Sequence, residues 1–520
     1  MKAFQAIVLQ SLLVATSIAF SSRSSQARFA LPETWDTPPH PDSTHHLIFH
    51  RVSSLLQVWP NTIYRNGHII VPATIPTGTI VYHGGPEASV PTSPEWLAFD
   101  FEHAYLFSYN TGYVISFQTT RDLLLAYFDG SSAAKMPHGP MDSQDVVIWG
   151  RPNPHYWRQE RLRIAKLCAW GRPLGLDGFV RMEFHFELLL CDFSDGVEVV
   201  ATLNVLPKGP STGIPWRGPP IEPPDPPPGW KGSLPLEQTV EFEALASGSW
   251  HNRAPGETRV RVDYSGLVTF YDPSLTSLVG ARRGVPRPLH RLANISASDS
   301  ARVRGELEDV FQRQTKGNGV DWGSVTHVVI ERYSERLELL QYLLGPATSQ
   351  KTPEQASLVR AEILTMLSPY ITTDAVPMSS TNTSWATSVI HRCSTTQTSG
   401  ISSSTLTQQE VRIRDAVEGT LREICRRLTF MWVDAFDIEA GSESRQREAL
   451  AEWRIQVREL MDWLDWPNWT RCNPACSPDA ICYLPSWPFI AGDDPDDMTP
   501  RCVSLLYRNS RQTPDHRHLP

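Results

Sequence analysis

The chain has 520 residues, of which 41% are hydrophobic and 20% charged, a balance that lets most of it bury a core and excludes wholesale disorder. Lys and Arg number 47 against 56 Asp and Glu, a formal net charge of −9, so there is no general positive field for phosphate backbones and nucleic-acid binding is set aside. The length predicts several units, and 43 prolines with 17 tryptophans predict stiffened connections and large aromatic anchors in a mixed architecture.

The N-terminus reads Met1-Lys2 and then an apolar run from Ala3 to Phe20, interrupted by Gln5, Gln10, Ser11, Thr16 and Ser17. A positive start, a short apolar stretch and small residues predict a signal peptide over 1–19, with cleavage as late as 27. The run is shorter than the roughly 20 clean apolar residues a membrane span needs, and no later segment supplies them. A secreted, extracellular protein without a transmembrane segment is expected. Eight cysteines, at 168, 191, 393, 425, 472, 476, 482 and 502, fit that compartment as disulfides. The last four lack the C-x2-C spacing that grips zinc, so no metal site is assigned. Asn294-Ile-Ser296, Asn382-Thr-Ser384 and Asn468-Trp-Thr470 are glycosylation acceptors in such a protein.

An α+β fold is predicted. Residues 45–205 read as a mixed α/β unit, with strands at His68–Val71, Thr79–Tyr82, Tyr113–Phe117, Asp145–Trp149 and Phe179–Cys191, and a helix from Arg158 to Trp170. The Pro-rich stretch 206–236 excludes helix and predicts an extended linker. In 237–370, strands are expected at Glu237–Ala246 and Thr258–Tyr271, followed by helices. Val329, Tyr333, Leu337, Leu340 and Leu344 recur at helical spacing on one face of 324–344. Thr352-Pro353-Glu354-Gln355 reads as a capping box opening the next helix. The Ser/Thr-rich segment 371–406 is expected to be a flexible linker. A second capping box, Thr407 to Glu410, opens a helical hairpin over 407–467, its stripes being Val417, Leu421, Ile424, Leu428, Met431 and Leu450, Trp453, Val457, Leu460, Leu464. A small disulfide-rich module at 470–507 and a polar tail at 508–520 close the chain.

The segment richest in chemistry is Tyr82-His83-Gly84-Gly85, followed by Glu95-Trp96-Leu97-Ala98-Phe99-Asp100-Phe101-Glu102-His103-Ala104-Tyr105. A strand ending in Tyr-His-Gly presents an imidazole at its tip and lets another group approach the backbone closely, since glycine has no side chain there. Further on, Gly178–Leu190 alternates Arg181, Glu183, His185 and Glu187 against Val180, Met182, Phe184, Phe186 and Leu188, which puts the polar groups on one side and the core on the other. Neither a nucleophile elbow, a zincin helix nor a phosphate-binding loop occurs.

The order of these pieces resembles the split-sheet core of ADP-ribosyltransferase-like folds of the His-Tyr-Glu type. That resemblance implies an N-terminal domain that consumes NAD as a substrate, as a transferase or a glycohydrolase. It assigns His83 and Gly84 to the adenosine-side ribose, Trp96 or Tyr105 to nicotinamide stacking, and Glu187, with Glu183 second, to the carboxylate that holds the ribose as positive charge develops. The paired tyrosines of that family are not both matched. Longer runs, including Tyr127–Lys135, Met141–Asp145, Asp177–Glu183, Gly248–Arg253 and Arg332–Leu340, resemble a large family of secreted fungal proteins of unassigned activity, over nearly the whole mature chain.

A non-catalytic role is the alternative. Trp463, Trp466, Trp469 and Trp487 would then offer indoles to an extracellular protein or a cell-wall glycan. Buried indoles would count against it.

Overall fold

The computed structural model describes residues 35–504 apart from 109–111, 138, 208–227, 232–233, 235–236, 314–316, 347–349, 374–383 and 489–497. The signal peptide, most of the Pro-rich stretch and the polar tail lie outside the described residues. The eight strands of the N-terminal region are β1 (Ile69–Ile75), β2 (Ile80–Gly85), β3 (Glu95–Ala98), β4 (Tyr113–Thr119), β5 (Leu123–Phe128), β6 (Gly178–Met182), β7 (Phe186–Leu190) and β8 (Val197–Asn204). With β9 (Arg261–Val262) and β10 (Val268–Thr269) they form one sheet, ordered β10-β1-β5-β6-β7-β3-β2-β4-β8, with β9 also on β1. Only β5–β6 is parallel among the described pairs.

Alternation along the strands gives the sheet two apolar faces. Val71, Ala73, Val81, Leu97, Ile115, Leu125, Val180 and Leu188 share one core with the C-terminal helices. Ile70, Ala126, Phe128, Phe179, Leu189 and Val268 share a second core with α4 (Asp142–Trp149), α5 (Glu160–Gly171) and α8 (Ala297–Gln312). The helices over the first face are α1 (His45–Ser53), α9 (Trp322–Leu343), α10 (Thr352–Leu367), α11 (Ser384–Thr395), α12 (Gln408–Ala435) and α13 (Glu443–Leu464). The predicted stripe of α9 is buried at every position, and at roughly 1.5–3 kcal/mol for each large apolar side chain that burial outweighs any propensity term.

The α+β class holds, and the structure corrects several elements. Asp145–Trp149 lies in the helix α4 rather than a strand, because the run Val146-Val147 packs against α5 and the second core. Glu237–Ala246 is helix α6 (Glu237–Ser247), with Val240 and Ala244 four apart on its buried side. The expected strand Phe179–Cys191 is a hairpin, β6 and β7, bent at 183–185. The segment 371–406 carries α11, which buries Trp385, Val389 and Ile390 and is tied by the Cys393–Cys425 disulfide to α12. At α10 the N-cap is Lys351, without a side-chain cap, and Gln355 Nε2 donates instead to the Leu343 carbonyl at 2.7 Å. The Thr407–Glu410 capping box is formed as expected.

All eight cysteines are paired, as 168–191, 393–425, 472–482 and 476–502. The last two tie β11 (Ala480–Tyr483) and β12 (Arg501–Ser504) each to the loop before them, and the two strands pair with one another. Among the described residues no helix is long and apolar enough to cross a membrane.

Candidate functional site

Strands β2, β3 and β7, which carry the candidate His, aromatic and Glu, are consecutive in the sheet. Cross-strand partners run Tyr82, Ala98, Glu187, Arg181 in one row, and directly opposed residues project from the same face. Tyr82–Ala98 is the one register pair joining β2 to β3. One residue on, the two strands part, and His83 Nδ1 lies 3.0 Å from the Trp96 carbonyl oxygen. The imidazole thus holds the split where a ladder bond would continue.

Gly84 fits the sequence reading in an unexpected way. A Cβ there would stand 1.8 Å from the Ala104 carbonyl oxygen, so the close approach is made by the chain's own helix α3 (Phe101–Leu106). That helix sets Tyr105 and His103. Tyr105 donates its hydroxyl to the Leu206 carbonyl at 2.8 Å. The His103 ring stacks on Trp96, with centroids 5.5 Å apart, and its Nε2 lies 3.2 Å from Glu183 Oε1. His83, Trp96, His103 and Glu183 therefore form one continuous chain of contacts.

Glu187 joins it through charge. Lys135 Nζ sits 3.7 Å from Glu183 Oε2, and Arg181 bonds both Glu187 and Glu160 at 2.5 Å. In a single strand, residues 181 and 187 would be about 20 Å apart at about 3.3 Å per residue; the hairpin makes them direct partners. Glu183 and Glu187 are 2% and 3% exposed. Burial raises the Glu187 carboxyl above its ordinary range, Arg181 opposing and Glu183 reinforcing the shift. Glu160 is held down to about 2: burial pushes upward and Arg181 and Lys135 prevail. Burial would lower the Lys135 ammonium, but Glu183 and Glu160 keep it raised. Three carboxyls thus face two cations in a low-dielectric setting, where burial works against the charge of Glu187.

A second polar cluster adjoins the first. Asp100 Oδ2 lies 3.2 Å from His251 Nε2, and Asp100 Oδ1 lies 3.0 Å from Arg259 Nη2. Glu257 pairs with Arg259 at 2.6 Å. Burial alone would raise the Asp100 carboxyl, yet the His251 hydrogen bond and Arg259 hold it well below its usual range. His185 completes the group, 3.8 Å from Asp100, and Gly248 is small because a Cβ would meet the His185 ring at 2.1 Å. Segment 248–259, which follows the Pro-rich stretch, thus returns to the β3–α3 junction. The Gly-Ser-Trp-His-Asn-Arg run was its signal in the sequence. His251, in that run, proves fully buried.

Residues 42–113 and 108–217 match the family model of the YPL277C N-terminal domain. The match spans β1 through β8, and with them His83, Gly84, Trp96, Tyr105, Glu183 and Glu187, while His251, Glu257 and Arg259 lie beyond it. Two uncharacterised proteins of Saccharomyces cerevisiae, YPL277C and YOR389W, are each 30% identical to this chain, over 301 and 299 residues and 43% of its length. That share is smaller than the near-complete span the motifs suggest. The alignments cover 60% and 47% of these relatives, so the chain spans about half the length of the curated proteins it matches. No solved structure matches.

The tryptophans offered for glycan stacking are largely engaged internally. Trp466 is buried and stacks on Trp469, whose Nε1 donates to the Ser334 carbonyl at 3.1 Å. Trp463 lies against His46, and Trp487 lies under Lys135, 4.7 Å from the ring centre.

Proposed function

We propose that the N-terminal α/β unit cleaves the nicotinamide–ribose bond of NAD, as a glycohydrolase or an ADP-ribosyltransferase, in a protein exported to an oxidising compartment. The observation that carries the reading is the adjacency of β2, β3 and β7, parting at His83. It sets the strands that carry the imidazole, the indole and the glutamate side by side, with Trp96 on the Glu187 face and His83, which follows Tyr82, on the opposite face and meeting Trp96 where the strands part. The charge balance supports it as well. As the C–N bond breaks, nicotinamide leaves as a neutral molecule with the bonding pair, and the ribose becomes cationic until water or an acceptor hydroxyl adds and releases a proton. In bound NAD that positive charge sits on the pyridinium ring, so a carboxylate held against the ribose favours the broken-bond state over the ground state. Glu187 holds the ribose, with Glu183 behind it, and Trp96 supplies the stacking surface. Export is supported by the four disulfides.

Because both glutamates are buried and ion-paired, substrate must displace the Arg181 and Lys135 contacts to reach them. The test is nicotinamide release from NAD by the purified chain, beside Glu187→Gln and His83→Ala. Turnover that falls at least about a hundredfold in Glu187→Gln, measured under conditions where circular dichroism shows that variant folded, is the expected result. Absence of turnover in the wild type, with water and with protein acceptors, overturns the reading.

A further inference from the structure

A cavity of about 260 Å³ lies away from the strand cluster, between residues 41–47, the loop 279–290 and the last turn of α13 at 462–465. Its size suits a small molecule. Its charge is unusual. Arg282 and Arg287 both line it and both are buried, at 8% and 9% exposure. Arg282 spends one bond on the Phe270 carbonyl, 2.9 Å from Nη1, and rests over the Tyr271 ring. Its Nη2 is buried with no hydrogen-bond partner. Arg287 stacks over Tyr64, 4.0 Å from the ring centre, and its Nη1 reaches the Asp465 carbonyl at 3.2 Å. Its Nε and Nη2 are buried without partners.

The rest of the lining is short of acceptors. Asp42 is committed to Arg283 through two short bonds, Asp462 is exposed at the rim, and the Asp465 carboxylate stands 3.8 Å from Arg287. Ser43 Oγ, Thr44 Oγ1 and His46 Nδ1 are buried and unpartnered beside it. These residues open α1, whose first turn carries no acidic residue and no side-chain cap, so the positive end of a helix faces the same space. Buried guanidinium N–H groups without acceptors are costly, each forfeiting a charge-assisted bond.

We propose that this cavity is a binding site for a small phosphate-class dianion, held by the guanidinium groups of Arg287 and Arg282, which line it. The paired donors of a guanidinium edge match two oxygens of one oxyanion. Ser43, Thr44 and the start of α1 supply the remaining donors.

The experiment is calorimetric titration of the full chain, in oxyanion-free buffer at constant ionic strength, with inorganic phosphate, glycerol phosphate and malonate. One site per chain is expected for a phosphate ligand. Tighter glycerol phosphate would assign an organic ester and tighter inorganic phosphate the free ion; either supports the site. Arg282→Met and Arg287→Met should each weaken binding at least about tenfold, whereas Arg302→Met, an exposed residue of α8 outside the lining, should change it little. Should the Met variants fail to fold, Arg287→Lys keeps the charge, loses the two-pronged edge and carries the same expectation. No binding at millimolar phosphate, retention of affinity in folded Arg287 variants, or preference for malonate would overturn the proposal.

Discussion

Buried histidines are the feature of this chain most exposed to its medium. His46 is lowered to about 3 and His290 to about 4, and His50, His68 and His185 lie well below their ordinary value, in each case because burial disfavours the charged ring. Some of these rings are anchored while neutral: His68 stacks on Tyr271 at 4.2 Å, and its Nδ1 lies 2.8 Å from the Asn66 carbonyl oxygen. The folded values lie below the unfolded one near 6.5, so the unfolded chain takes up protons first as pH falls. The stability these rings contribute is complete above about pH 6.5 and drains as pH falls toward 4, at about 1.4 kcal/mol per unit per histidine. Urea unfolding at pH 7, 6 and 5, in buffers free of oxyanions, should show a falling midpoint. A flat profile across that range would refute the assignment. The sequence disclosed the partners of few such residues. Arg181 and Glu187 were legible as one face, but their contact required the bend at 183–185, which alternation alone does not reveal. Gly84 was legible as a site of close approach; which group approaches depended on where α3 settles.

Among elements, those read correctly are those whose pattern and packing agree. Thr407 and Glu410 form their box because the helix that follows buries Val417, Leu421, Ile424 and Leu428 along the predicted stripe. The misread elements are short and mixed. In α4 the β-branched pair Val146-Val147 favours a strand by propensity, yet tertiary burial wins. In α11 a four-residue spacing from Trp385 to Val389, with Ile390 and Cys393 beside it, is hidden among serines and threonines that composition assigns to a linker. That helix is fixed to α12 by Cys393–Cys425, 32 residues apart in sequence. Closing such a loop is worth about 3–4 kcal/mol in the chain-entropy description. The double substitution Cys393→Ser/Cys425→Ser should lower unfolding stability by about that amount in denaturant titrations, while nicotinamide release by the sheet, if present in the parent, persists. A loss under about 1 kcal/mol would mean that packing of Trp385 and Val389 holds α11 without the bridge.

At the scale of the whole molecule, the boundary expected near residue 206 does not divide the core. Strand β1 has β5 on one side and β9 and β10 on the other, so the sheet is completed by residues that follow the Pro-rich stretch. Helix α1, inside the first unit, shares its core with α12 and α9, and Phe49 packs on Trp466 with ring centres 6.0 Å apart. His251, Glu257 and Arg259 reach back to Asp100. A fragment ending at residue 206 would leave one edge of β1 unpaired, strip the cover from the face carrying Val71, Val81 and Leu97, and strand Asp100 without its cations. Unpaired edges and exposed apolar faces associate. The fragment 35–206 is therefore expected to be insoluble or to lack a cooperative unfolding transition, whereas the chain through residue 504 unfolds cooperatively; expression, circular dichroism and denaturant titration of both decide it. A soluble fragment with a sharp transition would show that the sheet closes without β9, β10 and the helical layer, and that the matched family region folds by itself.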